Sequence, residues 1–153
     1  MSKVLITCGI PGCGKSTWAK KLVKNKTSAY IIETDSIRKE LTGSYEDQSQ
    51  NKKVFEVAHA RLGEALRDHI DYIVFDATSL KAWSRKTIID IAKKHNAEVH
   101  CAYFSVPLAT CFKRNDERER HVPDHVIVHM FSTMEVPTLE EGFDTIEVIK
   151  NYE

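Results

Sequence analysis

Five short runs of apolar, β-favouring residues punctuate the chain, and the stretches between them carry apolar side chains at helical spacing. The first run, Lys3 to Cys8, lacks polar alternation and ends in glycine, the pattern of a strand covered on both faces of a parallel sheet. Further strands are predicted over residues 29–33, 72–75, 98–104 and 146–149, and helices near 15–25, 51–67, 81–95, 107–113 and 123–134. In the first helix Trp18, Ala19, Leu22 and Val23 share one face while Lys20, Lys21 and Lys24 turn outward. In the last, Val126, Ile127, Met130, Phe131 and Met134 form a stripe expected to lie in the core, with Pro123 suited to the first turn. The polar stretch from Thr42 to Asn51 is expected to be a surface loop.

Alternation of this kind predicts an α/β fold with a parallel sheet of about five strands and helices on both faces, a three-layer sandwich. Ligands bind such sheets outside the carboxyl ends of the strands, so candidate chemistry is sought just after each strand. A length of 153 residues fits one domain spanning the whole chain. No apolar run approaches the roughly 20 residues needed to cross a bilayer, and no signal layout precedes the first strand, so a cytoplasmic location and no membrane partner are expected. Formal net charge is zero, which removes any global pull toward nucleic acid; positive potential for such a partner has to be local. Cys8, Cys13, Cys101 and Cys111 form no C-x-x-C pair, and the seven histidines have no metal-ligand spacing, so buried reduced thiols are expected. Trp18, Trp83 and the tyrosines are read as core or rim residues.

The most specific segment is Gly9-Ile10-Pro11-Gly12-Cys13-Gly14-Lys15-Ser16, a full match to the phosphate-binding pattern G-x-x-x-x-G-K-[ST] between a strand and a helix. Its glycines let backbone N–H groups converge on a phosphate, and the helix that follows adds the positive end of its dipole. Lys15 then serves the β- and γ-phosphates of ATP and Ser16 serves Mg²⁺, with Cys13 a spacer. Asp35-Ser36-Ile37-Arg38 follows the second strand: Asp35 is either a base that takes a proton from an acceptor hydroxyl or the cap of a short helix begun by Ser36. Asp76, at the end of the third strand and followed by Ala77-Thr78-Ser79, either holds a Mg²⁺-bound water or belongs to an ordinary turn. The segment Arg114-Asn115-Asp116-Glu117-Arg118-Glu119-Arg120 is read as a lid over about residues 114–122 whose guanidinium groups meet the transferred phosphoryl group, the alternative being a solvated run of mixed charge.

With these segments together, the chain resembles the kinase domain of the polynucleotide 5′-hydroxyl kinases, the group of the phage T4 enzyme and bacterial RNA-repair kinases, within the P-loop NTPase superfamily. The likeness rests on Gly9 through Trp18, Asp35 with Arg38, Asp76-Ala77-Thr78, and Arg114-Asn115 with Arg118. It implies a P-loop kinase-like fold with a helical lid, and ATP and Mg²⁺ as cofactors held by Gly9, Pro11, Gly12, Cys13, Gly14, Lys15, Ser16, Thr17, Arg114 and Arg118. It further implies Asp35 activating the acceptor 5′-hydroxyl, Arg38 binding the acceptor's phosphate, Asp76 and Thr78 beside the acceptor, and Arg118 contacting the ATP phosphates as a catalytic partner of Lys15. The expected substrate is a 5′-hydroxyl end of DNA or RNA, in nucleic acid repair. Many members read Asp-Ala-Thr-Asn where this chain has Ser79, and several are fused to further repair domains, so separate partner enzymes are expected here. A kinase of a nucleoside or other small metabolite, and a regulatory module that binds ATP without transferring phosphate, are the alternatives.

Overall fold

A computed structural model describes residues 1–118 and 122–150. Five parallel strands, β1 (Lys3–Cys8), β2 (Ala29–Glu33), β3 (Tyr72–Asp76), β4 (Glu98–Phe104) and β5 (Thr145–Ile149), form one sheet in the order β2-β3-β1-β4-β5. Six α-helices connect them: α1 (Lys15–Val23), α2 (Thr34–Thr42), α3 (Asn51–Arg67), α4 (Ala82–Lys94), α5 (Leu108–Glu117) and α6 (Asp124–Thr133). This is the predicted three-layer sandwich with a P-loop kinase-like topology. The Thr42–Asn51 stretch lies at the surface as expected, with residues 46–50 exposed, and includes a 3₁₀ turn at Gln48–Gln50.

Strand register explains the two layers. Val4 pairs with Ile73 and Val99, Ile6 with Phe75 and Cys101, and Ile32 with Phe75, so these side chains share one face of the sheet. They form a core with Val54, Ala58 and Leu62 of α3 and Ile88, Ile89 and Ala92 of α4. Residues of the opposite parity face the other way: Ala102 and Phe104 pack with Cys13, Cys111 and Ile127, and Trp18 of α1 meets Phe104 edge-on at 5.8 Å between ring centroids. Thr7 and Asp76 lie on this second face at the carboxyl edge, beside the first turn of α1.

Three expectations change. Helix α2 starts at Thr34, so Asp35 lies inside its first turn and Glu33 occupies the capping position. Pro107 and Pro123 sit just outside α5 and α6 rather than within them, because their extended ψ leaves the helix to begin one residue later. Along α6, Ile127 is fully buried, while Val126, Met130 and Met134 are half-buried and Phe131 is 48% exposed. The helix rests on the sheet's second face through one side only, so its apolar stripe is wider than the surface that covers it. No helix among the described residues is long and apolar enough to cross a membrane.

Candidate active site

The loop between β1 and α1 is shaped by two glycines in the left-handed region, Gly12 at φ 84° and Gly14 at φ 97°, conformations that a side chain disfavours. Gly12 has a second constraint: a Cβ there would lie 2.4 Å from the Cys111 carbonyl oxygen of α5. Gly12→Ala should therefore destabilise the fold by about 3 kcal/mol through combined overpacking and backbone strain, read as a lowered denaturation midpoint together with weakened nucleotide binding. Pro11 and Cys13 are buried beneath the loop, and the Cys13 sulfur packs where a Cβ on Gly9 would stand. Cys13 is thus part of the second core rather than only a spacer. Gly14 caps α1 without a side chain, leaving the backbone donors of the first turn available to an anion. Thr17 is exposed on that turn.

Lys15 folds back over the loop and donates to the carbonyls of Gly9 at 2.8 Å and Ile10 at 2.9 Å, with Cys13 Sγ at 3.5 Å. The ammonium thus stands over the mouth of the loop. Ser16 Oγ donates to Asp76 Oδ2 at 2.8 Å, and Thr7 Oγ1 donates to Asp76 Oδ1 at 3.2 Å and accepts from the Ala77 N–H. A hydroxyl and a carboxylate this close at a helix N-terminus are hard oxygen donors suited to Mg²⁺, directly from Ser16 and through water from Asp76. Burial pushes the Asp76 carboxyl above the usual carboxylate range; the Lys15 charge and the Ser16 hydrogen bond pull it down, and nearby Glu33 adds to the rise.

A raised carboxyl favours the protonated form in the native state. The stability this provides is complete below the unfolded-state value of about 4 and is lost as pH climbs through the native one. The nucleotide-free protein should then lose thermal stability relative to Asp76→Asn as pH rises from about 4 through the raised native value, while the variant loses the extra stabilisation by Mg²⁺ with nucleotide. Melting curves across that range check both.

Asp35 and Arg38 form an ion pair at 2.7 Å on one face of α2. The Arg38 guanidinium is buried and also donates through Nε to Asn51 Oδ1 at 3.2 Å, whereas the Asp35 carboxylate is 42% exposed. A fixed, buried cation therefore presents an accessible carboxylate at the strand edge that carries Asp76. Glu33, which pairs in register with Asp76, accepts from Ser36 Oγ at 2.8 Å. Between them opens a cleft of about 360 Å³ bordered by Ser16, Asp76, Glu33, Ser36 and Tyr30.

Thr78 is half-buried, and its carbonyl accepts from the Gly9 N–H at 2.9 Å, tying the loop after β3 to the phosphate loop. The neighbouring Ser79 adopts φ 50°, and its carbonyl accepts from Arg85 Nη1 at 2.8 Å and from the Cys8 thiol at 3.2 Å. Asparagine tolerates that backbone region better than serine does.

Arg114 and Asn115 are helical residues of α5, not part of an extended connection, and Arg118 caps the helix half-buried. Asn115 is fully buried and clamps residue 122, donating to the Val122 carbonyl at 2.6 Å and accepting its N–H at 2.9 Å. The expected lid thus starts inside a packed helix; residues 119–121, Arg120 among them, lie outside the described residues. Arg114 Nη1 is buried without a hydrogen-bond partner. An orphaned guanidinium donor on the helix that Gly12 touches fits an anionic ligand in the loop.

The sequence reading passed over Thr7, Glu33 and Arg85. Arg85 is fully buried and binds Glu141 through two bonds, Nε to Oε1 at 2.7 Å and Nη2 to Oε2 at 3.0 Å. Its signal was helical register, since Arg85 lies three and four residues before Ile88 and Ile89 and so shares their inward face. The four thiols are free and buried; burial pushes Cys8 and Cys111 up to about 11 and raises Cys101 as well, so these three pack as neutral groups.

A phosphate loop, a Ser16–Asp76 pair and a strand-edge carboxylate are set on a sheet of P-loop kinase-like fold. Residues 4–137 match the model of an AAA domain family, and the chain belongs to that family. It is 28% identical over 95% of its length to an L-seryl-tRNA(Sec) kinase of Methanococcus maripaludis, of which it spans 57%. The structure of a Pnkp1/Rnl/Hen1 RNA repair complex superposes with a TM-score of 0.75 at 20% identity, over 86% of this chain and 43% of that one. A gluconokinase from Sinorhizobium meliloti 1021 superposes with a TM-score of 0.66 at 17% identity, over 99% of this chain and 83% of the other. These structural likenesses establish the fold.

Proposed function

We propose that the protein is an ATP-dependent polynucleotide 5′-hydroxyl kinase, transferring the γ-phosphoryl group of ATP to a 5′-OH end of DNA or RNA. The observation that carries the reading is the half-exposed Asp35 carboxylate held at 2.7 Å by the buried Arg38, at the same sheet edge as Lys15, Ser16 and Asp76. Asp35 takes the proton of the acceptor hydroxyl as its oxygen bonds to the γ-phosphorus. The bond from that phosphorus to the β,γ-bridging oxygen breaks, and ADP leaves. Lys15 and the N–H groups of the loop bind the β- and γ-phosphates, and Arg114 and Arg118 supply further positive charge from α5. Ser16, with Asp76 acting through water, would hold Mg²⁺, which would supply positive charge against the phosphates. Likeness to a kinase of a tRNA-borne hydroxyl and to an RNA repair complex supports an acceptor attached to nucleic acid.

Incubation with γ-labelled ATP should label 5′-hydroxyl oligonucleotides. Absence of label across DNA and RNA, single-stranded and duplex, overturns the reading. One observation favours a second reading, kinase action on a small polar metabolite: Glu33, Glu40 and Asp76 stand against Lys20 and Arg61 around the cleft, which leaves no excess of positive charge for a polyanion. ADP release with a panel of sugars and nucleosides, in the absence of oligonucleotide labelling, would select it.

A further inference from the structure

The connection between α2 and α3 is fastened at both ends on one residue, Arg38. At its start, the Thr42 hydroxyl donates to the Arg38 carbonyl at 2.8 Å and accepts from the Ser44 N–H at 3.1 Å. At its end, Asn51, the first residue of α3, accepts from Arg38 Nε at 3.2 Å and donates through Nδ2 to Gln48 Oε1 at 2.6 Å. These two bonds fix the Asn51 amide, because the flipped form would set its NH₂ group against a guanidinium that has no acceptor to offer. The connection itself runs over the surface, so Asn51 is where an exposed segment takes hold of a buried cation.

A guanidinium carries its N–H donors in one rigid plane, so engaging two of its nitrogens sets the direction of the third. Asn51 engages Nε, and Asp35 Oδ1 engages Nη1 at 2.7 Å. Nη2 has no hydrogen-bond partner among the described residues. It is not sealed in either: among those residues the buried side-chain polar atom left unpaired is Arg114 Nη1. Asp35 Oδ2 likewise carries no hydrogen bond among the described residues, on a carboxylate that is 42% exposed. The contacting pair thus offers one open donor and one open acceptor. An ion pair to a half-exposed carboxylate restrains a side chain as long as arginine only weakly. The bond to Asn51 removes the freedom that remains.

We infer that Asn51 is a positioning residue of the phosphoryl transfer: by holding Nε it fixes the plane of Arg38, so that Nη1 keeps Asp35 in place as the base and Nη2 stays open to the acceptor. This rests on the reading of Asp35 and Arg38 given above and deepens it. Asn51 acts through Arg38 and does not itself meet the reacting atoms.

The test compares Asn51→Ala, a change that a first helical turn accepts, with Asn51→Asp, Asp35→Asn and the double variant Asp35→Asn/Asn51→Ala, using ATP and a 5′-hydroxyl oligonucleotide. Asn51→Ala should lower kcat by about ten- to a hundredfold, the cost of a misplaced catalytic group, while nucleotide affinity stays at the wild-type level. Asn51→Asp keeps an oxygen for Nε and should recover most of that loss. The double variant should be no slower than Asp35→Asn, because nothing is left to position once the base is gone. Independently of turnover, the Arg38 Nε–H signal in ¹⁵N NMR should be protected from exchange in wild type and Asn51→Asp, and unprotected in Asn51→Ala. Wild-type turnover in Asn51→Ala, losses that multiply in the double variant, or an unprotected Arg38 Nε–H in wild type overturns the inference. Protection that depends on Asn51, in a protein that phosphorylates no 5′-hydroxyl oligonucleotide, upholds Asn51 as the anchor of Arg38 and overturns the polynucleotide reading alone.

Discussion

Asp35→Asn should lower turnover by about 10²- to 10⁴-fold, the range that a positioned general base supplies, while nucleotide affinity stays at the wild-type level. Asparagine keeps an oxygen for Arg38, so the 2.7 Å contact and the start of α2 survive; what disappears is the group able to accept the hydroxyl proton. Nucleotide binding should be spared because the proposed nucleotide site is the β1–α1 loop and α5, whereas Asp35 stands in the first turn of α2. The measurement is kcat with saturating acceptor, beside a nucleotide Kd from calorimetry. Unchanged turnover would remove Asp35 as base. A parallel fall in affinity would show that the substitution had disturbed the loop instead. A protein that only binds ATP would show no acceptor-dependent turnover in either form.

Arg85→Ala should be the most damaging change to stability, about 3–5 kcal/mol, because it leaves a largely covered acid and two carbonyls without their cation. The arginine is fully buried and answers Glu141 with two bonds, Ser79 O at 2.8 Å and Glu135 O at 3.0 Å. For a chain of this length the melting temperature should drop by about 10 °C or more. Arg85→Lys keeps a charge but loses the planar fork, so it should recover only part of the loss. The Ser79 carbonyl belongs to the loop whose Thr78 carbonyl holds the Gly9 N–H. Any folded Arg85→Lys protein should therefore show a higher acceptor KM, a readout that a role in packing alone leaves unmoved.

The legibility of this protein from its sequence follows the range of the interactions involved. The phosphate loop was readable because its chemistry is local: eight consecutive residues carry the glycines, the lysine and the serine. The central strands β1 and β3 were readable because both faces are largely buried, which leaves nearly uninterrupted apolar runs. Asp35 and Arg38 are three residues apart on one helix, so their pairing was within reach of spacing rules. Thr7 was not, because its contact with Asp76 spans 69 positions and depends on β1 and β3 being neighbours. Arg85 and Glu141, 56 positions apart, form a pair that nothing in the local pattern announces. The α6 stripe misled for the opposite reason: periodicity reports which face is apolar but not how much of it another element covers, and Phe131 remains half in water.

The contact of Gly12 with α5 bears on how such proteins exchange parts. The loop meets the backbone of Cys111 where one added carbon would not fit, so the helix bearing Arg114 is keyed to the nucleotide pocket by shape rather than by a hydrogen bond. Residues 108–118 are for that reason not an interchangeable module. A chimaera that imports this helix from another kinase inherits a working pocket only if the donor brings an equally flat turn of backbone opposite Gly12, whatever arginines it carries.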